Sequence, residues 1–217
     1  MSDFQPHSGY APISLVEAYW DALREGREMP KRADIDPRGI ESALEYAFIL
    51  ERVAPGVARL RIAGTHLHDL MGMEARGMPL TSFFEHETRT RVAGLLEEVF
   101  QTPATAEINM FSTASLGQPA LEARMILLPL KSDLGDVSRI LGCFVAVGDI
   151  GTIPRRFDLR SVEMNRIGDG VAPAPADDTS KPAPTGFAEP QSGFEGPAGP
   201  SENVKYPPYL RLVKSDD

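Results

Sequence analysis

The chain has 217 residues, with 22 Lys and Arg against 31 Asp and Glu, and its net charge is −9. This length allows one domain with an extension or two small domains, and 42% hydrophobic residues are sufficient for a core. The negative charge argues against nucleic-acid partners, because it repels phosphate backbones. No apolar run of about 18 residues is present, so no membrane span is expected. The single cysteine, Cys143, cannot form an internal disulfide and suits a cytoplasmic protein.

Proline and glycine divide the chain into a folded part and a tail. Residues 168–208 contain 9 Pro and 6 Gly, a composition that supports neither helix nor sheet. We therefore expect a flexible N-terminus over 1–12, one domain over 13–150 and a disordered Pro/Gly-rich tail over 151–217. A short apolar motif ends this tail.

The first predicted elements are helical. Apolar residues recur at helical spacing over residues 14–25, and Ser14 with Glu17 fits a capping box. Asp36 followed by Pro37 is typical of an N-cap with proline in the first turn, which predicts a second, short helix.

Strands and helices alternate in blocks further along the chain. A hairpin is predicted over 48–63, with Leu60 and Ile62 on one face of its second strand and Arg59 and Arg61 on the other. The remaining predicted elements are two short helices at 66–71 and 79–84, a longer helix at 87–102, and strands at 105–114, 121–131 and 138–149.

This order of elements predicts an α+β fold. Its five strands form an antiparallel sheet, with the mid-chain helices on one face. The last two strands are apolar on both faces and must be covered on both sides. The amphipathic N-terminal helix is expected to cover the second face.

Several separated blocks carry a resemblance to a known family. In chain order they include Tyr19-Trp20, Arg32-Ala-Asp34-Ile-Asp36-Pro37, Arg61-Ile-Ala-Gly64-Thr65 and Leu128-Pro-Leu130. Over about residues 14–150 the sequence resembles the alphaproteobacterial single-PAS-domain family, formerly a domain of unknown function. The resemblance implies a PAS-like fold and a non-enzymatic regulatory role. It also implies a small-molecule ligand, a protein partner or a homodimer, and it leaves the cofactor unknown.

Two groups of residues are candidates for binding. Apolar side chains at the predicted helix–sheet interface would line a ligand cavity, or form an ordinary core: Leu60, Ile62, Leu70, Met71, Phe83, Leu96, Met110, Met125 and Phe144. Aromatic and charged side chains of the N-terminal region and the tail would contact a partner: Tyr19, Trp20, Arg32, Asp34, Asp36, Tyr206, Tyr209 and Leu210.

Other reactive side chains are weaker candidates. His66, His68 and Asp69 could bind a metal or haem, but two histidines at i and i+2 of a helix point about 200° apart, so a surface or capping role is expected. Arg59 and Arg61 could clamp an anion, or pair with acids such as Glu51. No catalytic motif is present, and no enzyme activity, catalytic residue or metal site is expected. The alternatives to a ligand-binding regulator are a dimerisation or localisation adaptor without a ligand and, more distantly, an enzyme that uses the PAS-like cavity.

Overall fold

The structure is a computed structural model, and it describes residues 8–167. Its α-helices are α1 (Ala11–Arg24), α2 (Thr65–Met71) and α3 (Arg89–Gln101). Its strands are β1 (Ala47–Ala54), β2 (Val57–Ala63), β3 (Ala104–Ser112), β4 (Leu121–Lys131), β5 (Val137–Val147) and β6 (Asp158–Arg166). Short 3-10 helices lie at Ser8–Tyr10, Arg32–Asp34, Pro37–Ala43 and Leu80–Phe83.

The six strands form one antiparallel sheet in the order β2-β1-β5-β4-β3-β6. The predicted α+β class and antiparallel sheet are confirmed, but the prediction of five strands is wrong. The sixth strand pairs with β3 along its length, with Ile108 opposite Val162. It falls inside the range 151–217 that was assigned to the tail, because a turn rich in Gly and Pro precedes it.

One face of the sheet, called the inner face here, packs against α2 and α3. Its buried cluster includes Leu70 from α2 and Leu96 from α3. Phe83, Phe144 and Phe157 pack together at its centre, with ring centroids 5.7 Å apart for the first pair and 5.3 Å for the second. Large apolar side chains therefore fill the space between helices and sheet.

The opposite, outer face is covered by α1 and the two 3-10 helices that follow it. Val16 and Trp20 from α1 are at most 2% exposed and join one cluster with Leu128 of β4 and Leu141 of β5. Both faces of the two central strands are covered, as their apolar sequences predicted. None of the helices described for residues 8–167 has the length and apolar sequence needed to cross a membrane.

The two predicted helix starts have different outcomes. The first helix begins at Ala11 with Pro12 in its first turn, so Ser14 lies inside the helix and the predicted capping box is wrong. The Asp36 carboxylate does accept a hydrogen bond from the Arg38 amide, at 3.0 Å, as an N-cap should. The segment it caps is a 3-10 helix.

Gly142 in β5 lies directly under the Phe48 ring, and a Cβ built on it would be 2.1 Å from the ring. We expect Gly142→Ala to lower the free energy of unfolding by about 1–3 kcal/mol, because the added methyl group overpacks the core. Urea denaturation measures the change.

Gly94 in α3 is the matched control. It is exposed, and a Cβ there meets nothing within 4 Å. Gly94→Ala should raise stability by up to about 1 kcal/mol, because alanine favours the helix. Equal effects of the two substitutions would contradict the packing assigned to Gly142.

Candidate functional site

A half-open cavity of about 150 Å³ lies on the outer face, between the sheet and the segment that follows α1. Apolar side chains dominate its wall, and one charged side chain, Arg32, contributes to it. The residues that line it are Arg32, Ile35, Pro37, Ile40, Leu44, Ala47, Phe48, Ile49, Ile62, Ala63, Gly64 and Leu141. We call this cavity the outer pocket.

A β-bulge in β2 creates the sheet side of the outer pocket. Ile49 of β1 lies opposite Ile62, but the next residue, Leu50, lies opposite Leu60, so Arg61 is an extra residue in β2. The extra residue reverses the facing of the strand beyond it. Leu60 is therefore buried on the inner face while Ile62 is 50% exposed on the outer face. The predicted common face of Leu60 and Ile62 is wrong for this reason.

The chain turns tightly at the edge of the outer pocket. A Cβ on Gly64 would lie 2.2 Å from the carbonyl oxygen of Glu45, so no larger residue fits there without a shift. The Gly64 amide donates to Ala47, at 2.8 Å, and the His66 amide donates to Glu45, at 3.0 Å. This contact holds the end of β2 against the start of β1.

Arg32 is the charged group of the outer pocket. It is half-buried, and its guanidinium makes no hydrogen bond or ion pair with any residue described in 8–167. The neighbouring Asp34 is engaged elsewhere, because it accepts 2.9 Å hydrogen bonds from the Lys31 amide and from Arg27. The Lys31 amide, followed by Arg27, lowers the pKa of the Asp34 carboxyl, so this group is ionised at neutral pH. Asp36 serves as the cap described above.

The aromatic partner candidates of α1 make contacts inside the domain. Trp20 is 2% exposed, and its Nε1 donates a 3.0 Å hydrogen bond to the carbonyl oxygen of Pro129 in β4. The Tyr19 hydroxyl donates to the Asp36 carbonyl, at 3.0 Å, and accepts from the Asp36 amide, at 2.8 Å. The tail candidates Tyr206, Tyr209 and Leu210 lie outside the described residues.

The nine predicted cavity residues divide into two groups. Eight of them are at most 4% exposed and belong to the single inner-face cluster: Leu60, Leu70, Met71, Phe83, Leu96, Met110, Met125 and Phe144. Ile62 is separated from them by the sheet. The sequence did not separate Ile62 from the other eight residues. The bulge in β2 is marked neither by a glycine nor by a break in the alternation of apolar residues.

The two histidines of α2 are held by backbone groups. His66 Nε2 accepts a 3.1 Å hydrogen bond from the Ala146 amide, and its ring lies 5.0 Å from that of Tyr46. His68 Nδ1 accepts from the Ala75 amide, at 3.3 Å. Within the described part of the chain, no three metal-ligating side chains converge.

The cysteine and the two arginines of β2 are also engaged or shielded within the fold. Cys143 is fully buried in β5, and burial raises the pKa of its thiol to about 12, so it stays protonated and unreactive near neutral pH. Arg61 forms an ion pair with Glu51, which confirms the expected pairing for this residue, whereas Arg59 donates to the Gly77 carbonyl, at 2.8 Å.

Sequence reasoning missed Arg155, which is fully buried in the β5–β6 connection. Its Nη1 donates to the Ile150 carbonyl, at 2.8 Å, and its Nη2 to the Pro119 carbonyl, at 2.7 Å. Its Nε has no partner among the described residues, and burial lowers the pKa of the guanidinium. An arginine in a segment with Gly and Pro gives no sequence signal of burial, since arginine is mostly exposed in proteins.

Comparisons with known proteins identify one family. A family profile described as the PAS domain matches residues 10–145. No curated protein matches the sequence.

Three solved structures are similar at low identity. A light-oxygen-voltage domain studied with a flavin analogue is 16% identical and has a TM-score of 0.40. The match covers 52% of this chain and 84% of that domain's chain. The light state of the blue-light photoreceptor Aureochrome1 LOV is 14% identical, with coverage of 52% and 88% and a TM-score of 0.38. An RNA-binding light-oxygen-voltage receptor is 16% identical, with a TM-score of 0.34. The match covers 68% of this chain but 36% of that receptor.

The contact of His66 with Ala146 predicts a pH-dependent stability. Burial lowers the pKa of His66 in the folded state, and the attraction of the Asp69 and Glu45 carboxylates for the protonated ring offsets this only in part. The unfolded chain therefore binds more protons between the folded value and the ordinary value of about 6.5. The stabilisation is complete above about pH 6.5 and is lost as the pH falls toward the lower, folded pKa.

We expect the free energy of unfolding, measured in urea at pH values from 7 to 5, to fall less steeply in His66→Gln than in the unsubstituted chain. His86 is exposed and provides the control substitution, His86→Gln. An unchanged slope in His66→Gln would show that this histidine is not the group that titrates.

Proposed function

The chain belongs to the PAS domain family, and from that premise we propose that it is a non-enzymatic bacterial regulatory module of the cytoplasm. The signal is relayed by residues 11–44, which form a layer on the outer face of the sheet and are called the N-terminal cover here. Binding of a small molecule or a protein partner changes the relative populations of two packings of this cover on the sheet. The single observation that supports this relay most directly is the Trp20 contact with β4.

Trp20 anchors the N-terminal cover at the middle of the sheet. Its indole N–H donates to the Pro129 carbonyl, and the side chain is 2% exposed, so moving α1 breaks this bond and exposes a large apolar group. One contact therefore distinguishes the docked cover from an undocked one.

Tyr19 joins α1 to the rest of the N-terminal cover. Its hydroxyl makes two hydrogen bonds to the backbone of Asp36, and its ring occupies the space where a Cβ on Gly39 would lie, 2.2 Å from Cε2. Arg27 adds an ion pair with Asp34, at 2.9 Å. These contacts support movement of α1 and the 3-10 segments as one unit.

Composition supports the remaining parts of this proposal. A net charge of −9 is unfavourable for nucleic-acid partners. One buried cysteine, Cys143, suits a reducing compartment. We also propose a homodimer, which light scattering on the full chain tests.

Hydrogen–deuterium exchange on the full chain tests the relay. We expect the amides of α1 to exchange faster than those of β4 and β5 under native conditions, because the cover opens without unfolding of the sheet. Trp20→Phe removes the hydrogen bond to Pro129, and it should increase exchange in 11–44 several-fold while leaving α3 unchanged.

Phe100→Leu is the matched control, since Phe100 is 5% exposed and packs on the inner face. This variant should increase exchange in α3 and leave the cover unchanged. If α1 opens only together with β4 and β5 in the unsubstituted chain, the cover is part of one cooperative unit and the relay fails.

A second candidate function is a dimerisation or localisation adaptor without a ligand, in which the end of the tail docks on a partner. The filled inner face supports it, because eight of the nine residues expected to line a cavity pack in one core. Deletion of residues 201–217 should then abolish cellular positioning, and native mass spectrometry of the full chain should show no bound small molecule. Unchanged positioning after the deletion would contradict the adaptor.

A further inference from the structure

The outer pocket combines one cationic side chain with an apolar wall. The Arg32 guanidinium has no partner among the described residues, and no carboxylate lines the pocket with it. Its acidic neighbours in sequence, Asp34 and Asp36, are engaged by Arg27 with the Lys31 amide and by the Arg38 amide. A half-buried guanidinium with no anionic partner in residues 8–167 can accept an incoming anion, and its planar donors match a carboxylate.

The wall beside Arg32 is suited to a small apolar group. Ile62 and Leu44 are 50% and 39% exposed, so their side chains are still in contact with water. The cavity of about 150 Å³ has the size of engineered apolar cavities that take up one benzene-sized molecule. An occupant that buries these side chains gains roughly 25 cal/mol for each Å² of apolar surface removed from water.

We propose that the outer pocket binds a small monocarboxylic acid with an apolar body, such as a short-chain fatty acid or an aromatic acid. Arg32 binds the carboxylate at the mouth, and Ile35, Ile49 and Ile62 surround the apolar body. A phosphate ester is a poorer match, because the lining offers one cationic side chain and no second donor group of this strength. A larger lipid exceeds the cavity.

The position of the pocket links its occupancy to the cover. Arg32, Ile35 and Ile40 belong to the N-terminal cover, whereas Ile49 and Ile62 belong to the sheet. A ligand that contacts both sides binds the docked packing more tightly than any packing in which they separate, and it shifts the population by that difference. The effect of the ligand on the N-terminal cover rests on the proposed regulatory function. Binding of the acid to the outer pocket does not depend on that function.

Isoleucine methyl NMR of the full chain tests the proposal, because four of the eleven isoleucines line the pocket: Ile35, Ile40, Ile49 and Ile62. The probes are hexanoate and benzoate, each compared with its uncharged analogue, hexan-1-ol or benzyl alcohol. We expect saturable shifts of these four methyl groups with the acids. The methyl groups of Ile108 and Ile140, which are buried on the inner face, serve as internal references.

Two pairs of variants separate the charged and apolar parts of the site. Arg32→Gln should weaken binding of the acids about tenfold and that of the alcohols by less than about threefold, because it removes one charge-assisted contact. Arg38→Gln, an exposed arginine outside the lining, should have no effect. Ile62→Ser should weaken both acids and alcohols. Val53→Ser is its control, since Val53 is 45% exposed on β1 and lies outside the outer pocket.

Three results would overturn the proposal. They are equal affinity for acid and alcohol, unchanged acid binding in Arg32→Gln, and no saturable shift at the four methyl groups at millimolar probe. The last result would instead favour an apolar side chain of a protein partner as the occupant of the outer pocket. If the acids bind but exchange in α1 does not slow, the ligand assignment stands and the relay fails. If α1 opens as proposed but no probe binds, the relay stands and the ligand assignment fails.

Discussion

The arrangement of layers depends on the two central strands, β4 and β5, which are apolar on both faces. Such strands are stable in water only when both faces are covered, and the chain supplies two different covers. Helices α2 and α3, from the middle of the chain, cover the inner face, and the N-terminal cover closes the outer face. The two cores are separate buried clusters on opposite faces of one sheet, and the partly buried Val137 of β5 packs against both.

The two cores differ in how they are held. The inner core is closed by the β5–β6 connection, where Phe157 is fully buried and pairs through its backbone with Phe83, at 2.9 Å. The outer core is closed by a helix whose polar contacts with the sheet centre on Trp20. The outer pocket lies between this helix-containing layer and β2. On the outer face, incomplete packing between the N-terminal cover and β2 leaves space for a ligand. On the inner face, continuous packing makes the sheet a rigid base for the cover.

Much of the fold could be predicted from the sequence, because most elements have a clear period and clear ends. The hairpin of β1 and β2, the start of the 3-10 helix at Asp36 and the apolar central strands are all visible as patterns. β6 was missed because Gly148, Gly151 and Pro154 precede it, and such residues are typical of a tail. Its alternating pattern is also interrupted by a shift in register near Arg160.

The candidate site was less predictable than the fold. Arg32 was recognised as a candidate for contacts, but nothing in the sequence places it beside Ile62, which is thirty positions away and was assigned to the other face. Tertiary pairing of β1 with β2 decides that placement, through the extra residue at Arg61. The burial of Trp20 was likewise visible only as an amphipathic pattern. Its hydrogen bond to Pro129 depends on how α1 crosses β4.

The bulge at Arg61 makes the pairing of β2 with β1, rather than the chemistry of its residues, the property on which the outer pocket depends. Leu60 and Ile62 are two positions apart, so strict alternation would place both on the inner face and remove a wall of the pocket without replacing any apolar side chain. Deletion of Arg61 would instead make Leu60 and Ile62 adjacent and keep them on opposite faces, so that wall would remain. Within a family, an apolar residue at the position of Ile62 would therefore not by itself identify members that have the pocket.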